Sequence, residues 1–271
     1  MDGKSLKQAL RSGQTVYGTL VVSTFPKWPQ EMRSLGLDFV FIDTEHIAID
    51  RLELSWMCQT FRSMDIAPVV RIPAPDPYMA TMALDGGAAG IVAPYVETVE
   101  QVQALRGAVK LRPLKGEKLQ RVLDGRAPME DELRSYVEER NADNVLIVNI
   151  ESGPAIEQLD KIVRVPDLDG VLIGPHDLSC SLGVPEQYRH PVFDRAVRTI
   201  LGKARAAGIG AGLHYWAGMD QQIAWAKDAG MNMIVHKADI ISFIEQMGKE
   251  IGELKAALGG SSDRNVNDIT I

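Results

Sequence analysis

The sequence predicts an α/β protein folded as an eight-stranded parallel β/α barrel, the TIM (β/α)8 fold. Three observations carry that expectation. Eight short runs rich in β-branched and apolar residues alternate with segments of helical spacing, the pattern of a parallel sheet joined by crossover helices. The runs are apolar on both faces, as strands covered on both sides must be. Ionisable clusters, Asp43-Thr-Glu-His46, Arg71, Glu151 and Gly174-Pro-His-Asp177, each follow directly on such a run. A barrel enzyme builds its site from the loops at the C-terminal ends of its strands.

In chain order, strands are expected over 16–22, 39–42, 68–71, 90–93, 145–150, 170–173, 210–213 and 233–235. Between them, Leu52, Trp56, Gln59 and Met64, or Ala196, Ile200, Ala204 and Ala207, recur at the helical period, and Gly208 supplies a C-terminal stop. The fourth and fifth strands are farther apart than any other neighbours, so an insert is expected over 97–144, carrying a charged helix over 130–140. Long loops on barrels often hold specificity elements, and a solvated surface helix is the other reading. A helix over 240–258 carries Ile244, Met247, Ile251, Leu254 and Leu258 as an apolar stripe, which must close the barrel or dock on a second subunit. One barrel domain over 1–258 and a disordered polar tail over 259–271 complete the expectation. The chain's 271 residues suit a single barrel of about 250.

With 36 acidic against 29 basic residues the formal charge is −7, which argues against a nucleic-acid or anionic-membrane surface. The first residues hold no apolar leader and no run nears a membrane span, so a cytoplasmic protein is expected. Cys58 and Cys180 are too few for a disulfide framework or a zinc knuckle. Neither a dinucleotide loop nor a Walker sequence is present.

Glu151 ends the fifth strand and Asp177 lies in the loop after the sixth, and two carboxylates with open positions between them suit a hard divalent cation; helix capping is the bland alternative. His46 lies three residues past Asp43, within reach of a carboxylate that could orient its imidazole for acid/base work. Arg71 ends an apolar strand on a guanidinium, whose fork fits a carboxylate. Asp85 could orient a loop or cap a turn. Lys237, after the eighth strand, could form a Schiff base or lie at the surface. His176, His190, His214 and His236 have no zinc spacing.

Five stretches, Phe41-Ile-Asp-Thr-Glu-His46, Pro68-Val-Val-Arg71, Leu84-Asp-Gly-Gly-Ala-Ala-Gly-Ile-Val-Ala-Pro94, Ile150-Glu151 and Gly170-Val-Leu-Ile-Gly-Pro-His-Asp-Leu-Ser179, stand together in this order. So ordered, the chain resembles the metal-dependent (class II) pyruvate aldolases of the HpcH/HpaI group. That group includes 4-hydroxy-2-oxoheptanedioate and 2-dehydro-3-deoxyglucarate aldolases. The resemblance implies cleavage of a 4-hydroxy-2-oxo acid to pyruvate and an aldehyde. Glu151 and Asp177 would hold Mg2+, Mn2+ or Co2+, and Arg71 would neutralise the developing enolate. The loop of Gly174, Pro175, His176 and Asp177 would hold the pyruvate carboxylate with the backbone N–H groups around Gly174 to Asp177, Pro175 having none to give. His46 with Asp43 would act as acid and base, supported by Asp85 of a neighbouring subunit. It further implies a homo-oligomer, a hexamer or trimer of dimers, with the C-terminal helix exchanged between subunits.

The chain departs from the group's pattern in three places. Leu111-Arg-Pro-Leu-Lys-Gly-Glu-Lys118 replaces a Pro-Pro-x-Gly-x-Arg-Gly stretch, Asn149 stands where Gln is common, and His236-Lys237-Ala-Asp239 replaces a Val-Gly-Val-Asp ending. The aldehyde is therefore open. A citrate-synthase-like or CoA-ester lyase or synthase on the same scaffold, a Schiff-base lyase on Lys237, and a barrel that only binds a small acid are the rival readings.

Overall fold

The computed structural model describes residues 1–259 and closes the eight expected strands into one parallel barrel in sequence order. The strands are β1 (Val16–Val21), β2 (Phe39–Asp43), β3 (Ala67–Arg71), β4 (Gly90–Ala93), β5 (Val145–Asn149), β6 (Gly170–Ile173), β7 (Gly210–Tyr215) and β8 (Met233–Ala238). All eight are where the apolar runs place them. The last two extend two and three residues beyond expectation, because their C-terminal ends turn polar while still pairing: His214 pairs with Val235 and Tyr215 with His236.

Twelve helices surround the described barrel: α1 (Gly3–Ser12), α2 (Trp28–Met32), α3 (Arg51–Ser63), α4 (Pro77–Asp85), α5 (Val99–Lys110), α6 (Gly116–Leu123), α7 (Asp131–Arg140), α8 (Gly153–Ile162), α9 (Pro175–Ser181), α10 (Pro191–Ala206), α11 (Met219–Ala229) and α12 (Asp239–Leu258). Side chains start many of them. Asp50 accepts from the Leu52 and Glu53 N–H groups to open α3, and Thr98 forms a capping box with Gln101 to open α5.

Two apolar layers result. Val16, Phe39, Val69, Val145, Ile147 and Met233 fill the lumen, and Leu6 and Leu10 of α1 plug it from below. The second layer, between sheet and helices, includes Val40, Ile91, Leu146, Val171 and Leu213. The plug is tied by the fully buried Asp169, which accepts from Arg11, Lys110 and the Leu146 N–H. Multiple donors answer its desolvation.

The insert over 97–144 resolves into α5, which is the regular crossover helix, followed by α6 and α7. Because α6 and α7 connect a helix to the start of β5, they enter at the barrel's lower face. Ala142 there accepts from Lys7 of the plug. Within one chain the insert therefore lies opposite the C-terminal mouth, and the surface-helix reading fits: α6 buries nothing and α7 only Val137. On α12 the stripe is exposed, with Phe243, Met247, Ile251, Leu254 and Leu258 all open. The tail expected over 259–271 lies, beyond Gly259, outside the described residues. Among the described residues no helix is long and apolar enough to cross a membrane. Cys58 is buried, and burial pushes its thiol up to about 12, so it stays protonated at neutral pH.

Candidate active site

Strand register, more than loop sequence, assembles the mouth. Asp43 ends β2 directly opposite Arg71 at the end of β3, so side chains nearly thirty residues apart in sequence share one face. Arg71 donates Nε to Asp43 Oδ1 at 2.8 Å and Nη2 to Oδ2 at 2.6 Å, and its Nε also lies 3.2 Å from Glu45 Oε2. Its guanidinium stands over the Phe41 ring, 5.5 Å from the centroid. Thr44 locks the corner by donating both its N–H and its hydroxyl to the Arg71 carbonyl. Burial works to raise the Asp43 pKa, but the guanidinium fork outweighs it and holds the carboxyl below its ordinary range.

This fork changes the expected Asp43–His46 pairing. Both Asp43 oxygens are taken by Arg71, and Oδ1 also accepts from the Glu45 N–H. His46 is exposed and faces Glu45 instead, with Nε2 3.7 Å from Oε2. The acidic neighbour of the imidazole is thus Glu45, two residues past Asp43 and so on its face of the chain, a period-2 signal present in the sequence.

On the opposite rim Glu151, 3% exposed, is held at both oxygens. Oε1 accepts from the Tyr95 N–H at 2.7 Å and Oε2 from Asn149 Nδ2 at 2.8 Å. Tyr95 holds its N–H there from a left-handed backbone, φ 50°, an uncommon conformation for a bulky residue and one found at functional sites. Gly174 packs against the same carboxylate: a Cβ there would stand 2.2 Å from Oε2. Neither carboxylate does the N-cap work of the bland reading. Ser152 caps α8, while Asp177 lies inside the first turn of α9, whose cap, Gly174, has no side chain to satisfy the leading N–H groups.

A cavity of about 310 Å³ opens at this mouth, lined by Asp43, His46, Arg71, Asn149, Gly174, Pro175, His176 and Asp177, with His214 and Trp216 on the β7 side; Glu45 and Glu151 lie outside this lining. Lys237 is not part of this lining; it pairs with Glu245 of α12, which fits the surface reading. Asp85 lies at the far end of α4, paired with Arg112 of the insert and outside its own chain's mouth.

Charge is unevenly balanced here. Burial, with added repulsion from Asp43 and Asp177 against the pull of Arg71, pushes Glu45 up to about 7. Burial and Asp177 likewise push Glu151 to about 7 against its two donors. Arg71 is the one guanidinium beside these acids among the described residues, and Asp43 already forks it. A divalent cation between Glu151 and Asp177 would relieve that excess, and hard carboxylate oxygens are the donors it prefers. Among the described residues no three His, Cys, Asp or Glu side chains converge as a ligand cluster. A cation here would thus rest on two carboxylates and complete its shell from substrate and water oxygens, an open site of the kind catalysis uses.

A β/α barrel whose C-terminal mouth gathers carboxylates around a guanidinium has the layout of a barrel enzyme's active site. The sequence profile of the HpcH/HpaI aldolase/citrate lyase family matches residues 18–236, and the chain belongs to that family. It is 31% identical over 252 residues to the 2-keto-3-deoxy-L-rhamnonate aldolase of Salmonella gallinarum, covering 92% of each chain. The Escherichia coli enzyme of that name is 30% identical over 256 residues, 94% of each. Among solved structures, an HpcH/HpaI aldolase from Desulfitobacterium hafniense superimposes with a TM-score of 0.79 at 26% identity, over 92% of this chain and 96% of that one. The citrate synthase SbnG gives 0.79 at 27%, over 93% and 98%.

Of the residues singled out in the sequence, His46, Arg71, Asp43 and the loop from Gly174 to Asp177 line one cavity and Glu151 lies close to Asp177 and Arg71, whereas Asp85 is apart from them. Sequence reasoning gave no role to Glu45, Tyr95, His214 or Trp216. Only Glu45 and His214 had a signal in sequence, the alternation that puts each on a lumen face.

Proposed function

We propose that this chain is a divalent-metal-dependent carbon–carbon lyase that cleaves a 4-hydroxy-2-oxo acid to pyruvate and an aldehyde. The observation that supports it most is that Asp177 and Arg71, which line one small cavity, both act on the buried Glu151 carboxylate beside it. Family membership and the aldolase names of relatives at 30% and 31% identity agree.

Mg2+, Mn2+ or Co2+, when bound by Glu151 and Asp177, supplies Lewis-acid stabilisation of negative charge on the keto oxygen. The residues do the rest. Arg71, held rigid by Asp43, points a fixed positive charge at the oxygen on which charge develops as the C3–C4 bond breaks. The uncapped first turn of α9 offers N–H groups to the pyruvate carboxylate. His46, beside Glu45, takes the proton from the C4 hydroxyl and later returns one to C3, so Glu45 takes over the orienting part that spacing suggested for Asp43. No covalent lysine is needed. Asp85, at its own chain's lower rim, acts only if a neighbouring subunit presents it.

The similarity to a citrate synthase at 27% identity keeps a condensing reaction as the second reading. Release of pyruvate from a panel of 4-hydroxy-2-oxo acids, followed through lactate dehydrogenase with EDTA or with added Mn2+ or Mg2+, decides between them. Metal-dependent release is expected. No release with any metal, but condensation of oxaloacetate or a second oxo acid, would move the chain to the citrate-forming branch.

The open stripe of α12 supports assembly into a homo-oligomer, a hexamer or trimer of dimers in which this helix crosses between subunits. Light scattering should return a multiple of the 29.7 kDa chain mass; a monomer at micromolar concentration rejects the assembly.

A further inference from the structure

A second cavity, of about 510 Å³, opens on the lower face between the α1 plug, α5, α7 of the insert and the loop before β6. Five cations line it: Lys7 and Arg11 from α1, Arg106 and Lys110 from α5, and Arg134 from α7. Three carboxylates, Glu138, Asp167 and Asp169, stand against them. The lining therefore carries two positive charges in excess, in a chain whose formal charge is −7. A concave site with an excess of one sign focuses its field on an ion of the other.

Packing accounts for three of the cations. Arg11 and Lys110 tie Asp169 to the plug, and Arg106 donates Nε to Asp167 Oδ2 at 2.8 Å. Lys7 and Arg134 meet no carboxylate among the described residues. Lys7 Nζ donates to the Ala142 carbonyl at 2.7 Å, and Arg134 Nη2 to the Met129 carbonyl at 3.2 Å. Lys110 Nζ donates in turn to the Asn144 carbonyl at 2.6 Å. Two ammonium groups thus hold carbonyls two residues apart on the short turn between α7 and β5, and Lys110 is only 9% exposed. Burial, helped by the charge of Lys7, draws the Lys110 pKa below its ordinary range against the pull of Asp169. Like charges so placed, one of them buried, are costly without a counter-anion. Donors are also left over: among the described residues Arg106 uses neither Nη, Arg11 leaves Nη1 unspent, and Lys7 spends one of its three protons.

Two excess charges match a compact dianion, and guanidinium forks fit the oxygens of a phosphate. A phosphate monoester carries close to two charges at neutral pH. The volume falls within the roughly 300–1,000 Å³ of small-molecule sites and exceeds what a bare phosphate fills. Met129, Val137 and Pro166 add apolar wall for the remainder of such a molecule. We propose that this lower-face cavity binds the phosphate dianion of a small phosphorylated molecule through Lys7, Arg106 and Arg134, with the buried Lys110 adding its charge. The ligand joins α1, α5 and α7, and so clamps the insert onto the barrel floor. The site lies at the opposite end of the barrel from the mouth, and its occupancy does not depend on the reaction there.

Calorimetry on the full chain at neutral pH tests this with glucose 6-phosphate, inorganic phosphate, glucose and succinate. Glucose 6-phosphate should bind once per chain and glucose not at all. Succinate, a dianion without a tetrahedral head, should bind at least about tenfold more weakly than the ester. Inorganic phosphate should be weaker than the ester too; if it binds as tightly, the site takes free phosphate and the phosphorylated molecule is overturned. Lys7→Gln and Arg134→Gln should each weaken glucose 6-phosphate about tenfold, the scale of one charge-assisted hydrogen bond, with circular dichroism unchanged. Glu138→Gln removes a carboxylate from the lining and should tighten binding about threefold, a gain that no misfolded variant produces. Saturating ester should raise the melting temperature of the parent by several degrees, and that of Arg134→Gln by less. Unchanged affinity in all three variants places the anion elsewhere, the mouth included, and overturns the proposal. So does the absence of binding by glucose 6-phosphate at millimolar concentration, or succinate binding as tightly as the ester.

Discussion

Glu151→Gln and Asp177→Asn should each reduce metal-dependent pyruvate release by roughly 10³-fold or more, the scale on which a lost Lewis acid removes several kcal/mol of charge stabilisation. Neither change alters side-chain size; each removes one of the two charges proposed to hold the cation. For Glu151 the effect on folding should be small, for two opposing reasons. The carboxyl already sits near a pKa of about 7 through burial and its neighbours, so the neutral amide is relieved of repulsion from Asp177. Against that, Tyr95 N–H and Asn149 Nδ2 both donate to this group, and an amide can accept with one end only, leaving one donor mismatched at a cost of about 1–3 kcal/mol. A melting curve close to the parent's, calorimetric loss of Mn2+ binding and loss of activity should therefore appear together. Activity within tenfold of the parent with Mn2+ binding intact would sink the assignment of Glu151 to the cation. The reverse pattern, a collapsed fold, would make Glu151 a structural carboxylate.

The fold was legible because a parallel barrel writes itself locally. Each strand is a short apolar run such as Val-Leu-Ile-Val in β5, and each crossover helix has its own period and cap, so no long-range fact was needed. The site was legible only where a polar residue ends such a run, as Arg71, Glu151 and the Asp43 cluster do. Sequence spacing misjudged which groups touch: Asp43 lies near His46 in the chain, but register sets it opposite Arg71, and a guanidinium fork is the stronger claim on a buried carboxylate. His214 was hidden because β7 continues past its apolar run, so a residue that seemed to belong to a loop is a lumen residue. The insert's length left a specificity element and a solvated surface helix both open, and topology favours the second, since it joins a helix to a strand and such joints lie at the lower face of a barrel.

Arg71→Met should destabilise the protein by about 3–5 kcal/mol, because it leaves Asp43 as an uncompensated buried charge. Asp43 is 1% exposed, and apart from the Glu45 N–H both its oxygens are satisfied by this guanidinium. The same substitution should stop pyruvate release, but a collapsed fold would explain that too, so two further variants separate the roles. Arg71→Lys keeps the charge and loses the fork; it should recover much of the stability while kcat stays at least about a hundredfold down, since a flexible ammonium cannot hold both Asp43 oxygens and aim at substrate. Arg71→Met with Asp43→Asn removes both charges, and stability should return towards the parent's while activity does not. Chemical denaturation beside steady-state kinetics reads all three. If Arg71→Lys retains kcat, the guanidinium does not face the reacting oxygen and only props the rim. If Arg71→Met unfolds at the parent's midpoint, Asp43 has found another partner and the buried pair is not what holds β2 to β3 at the mouth.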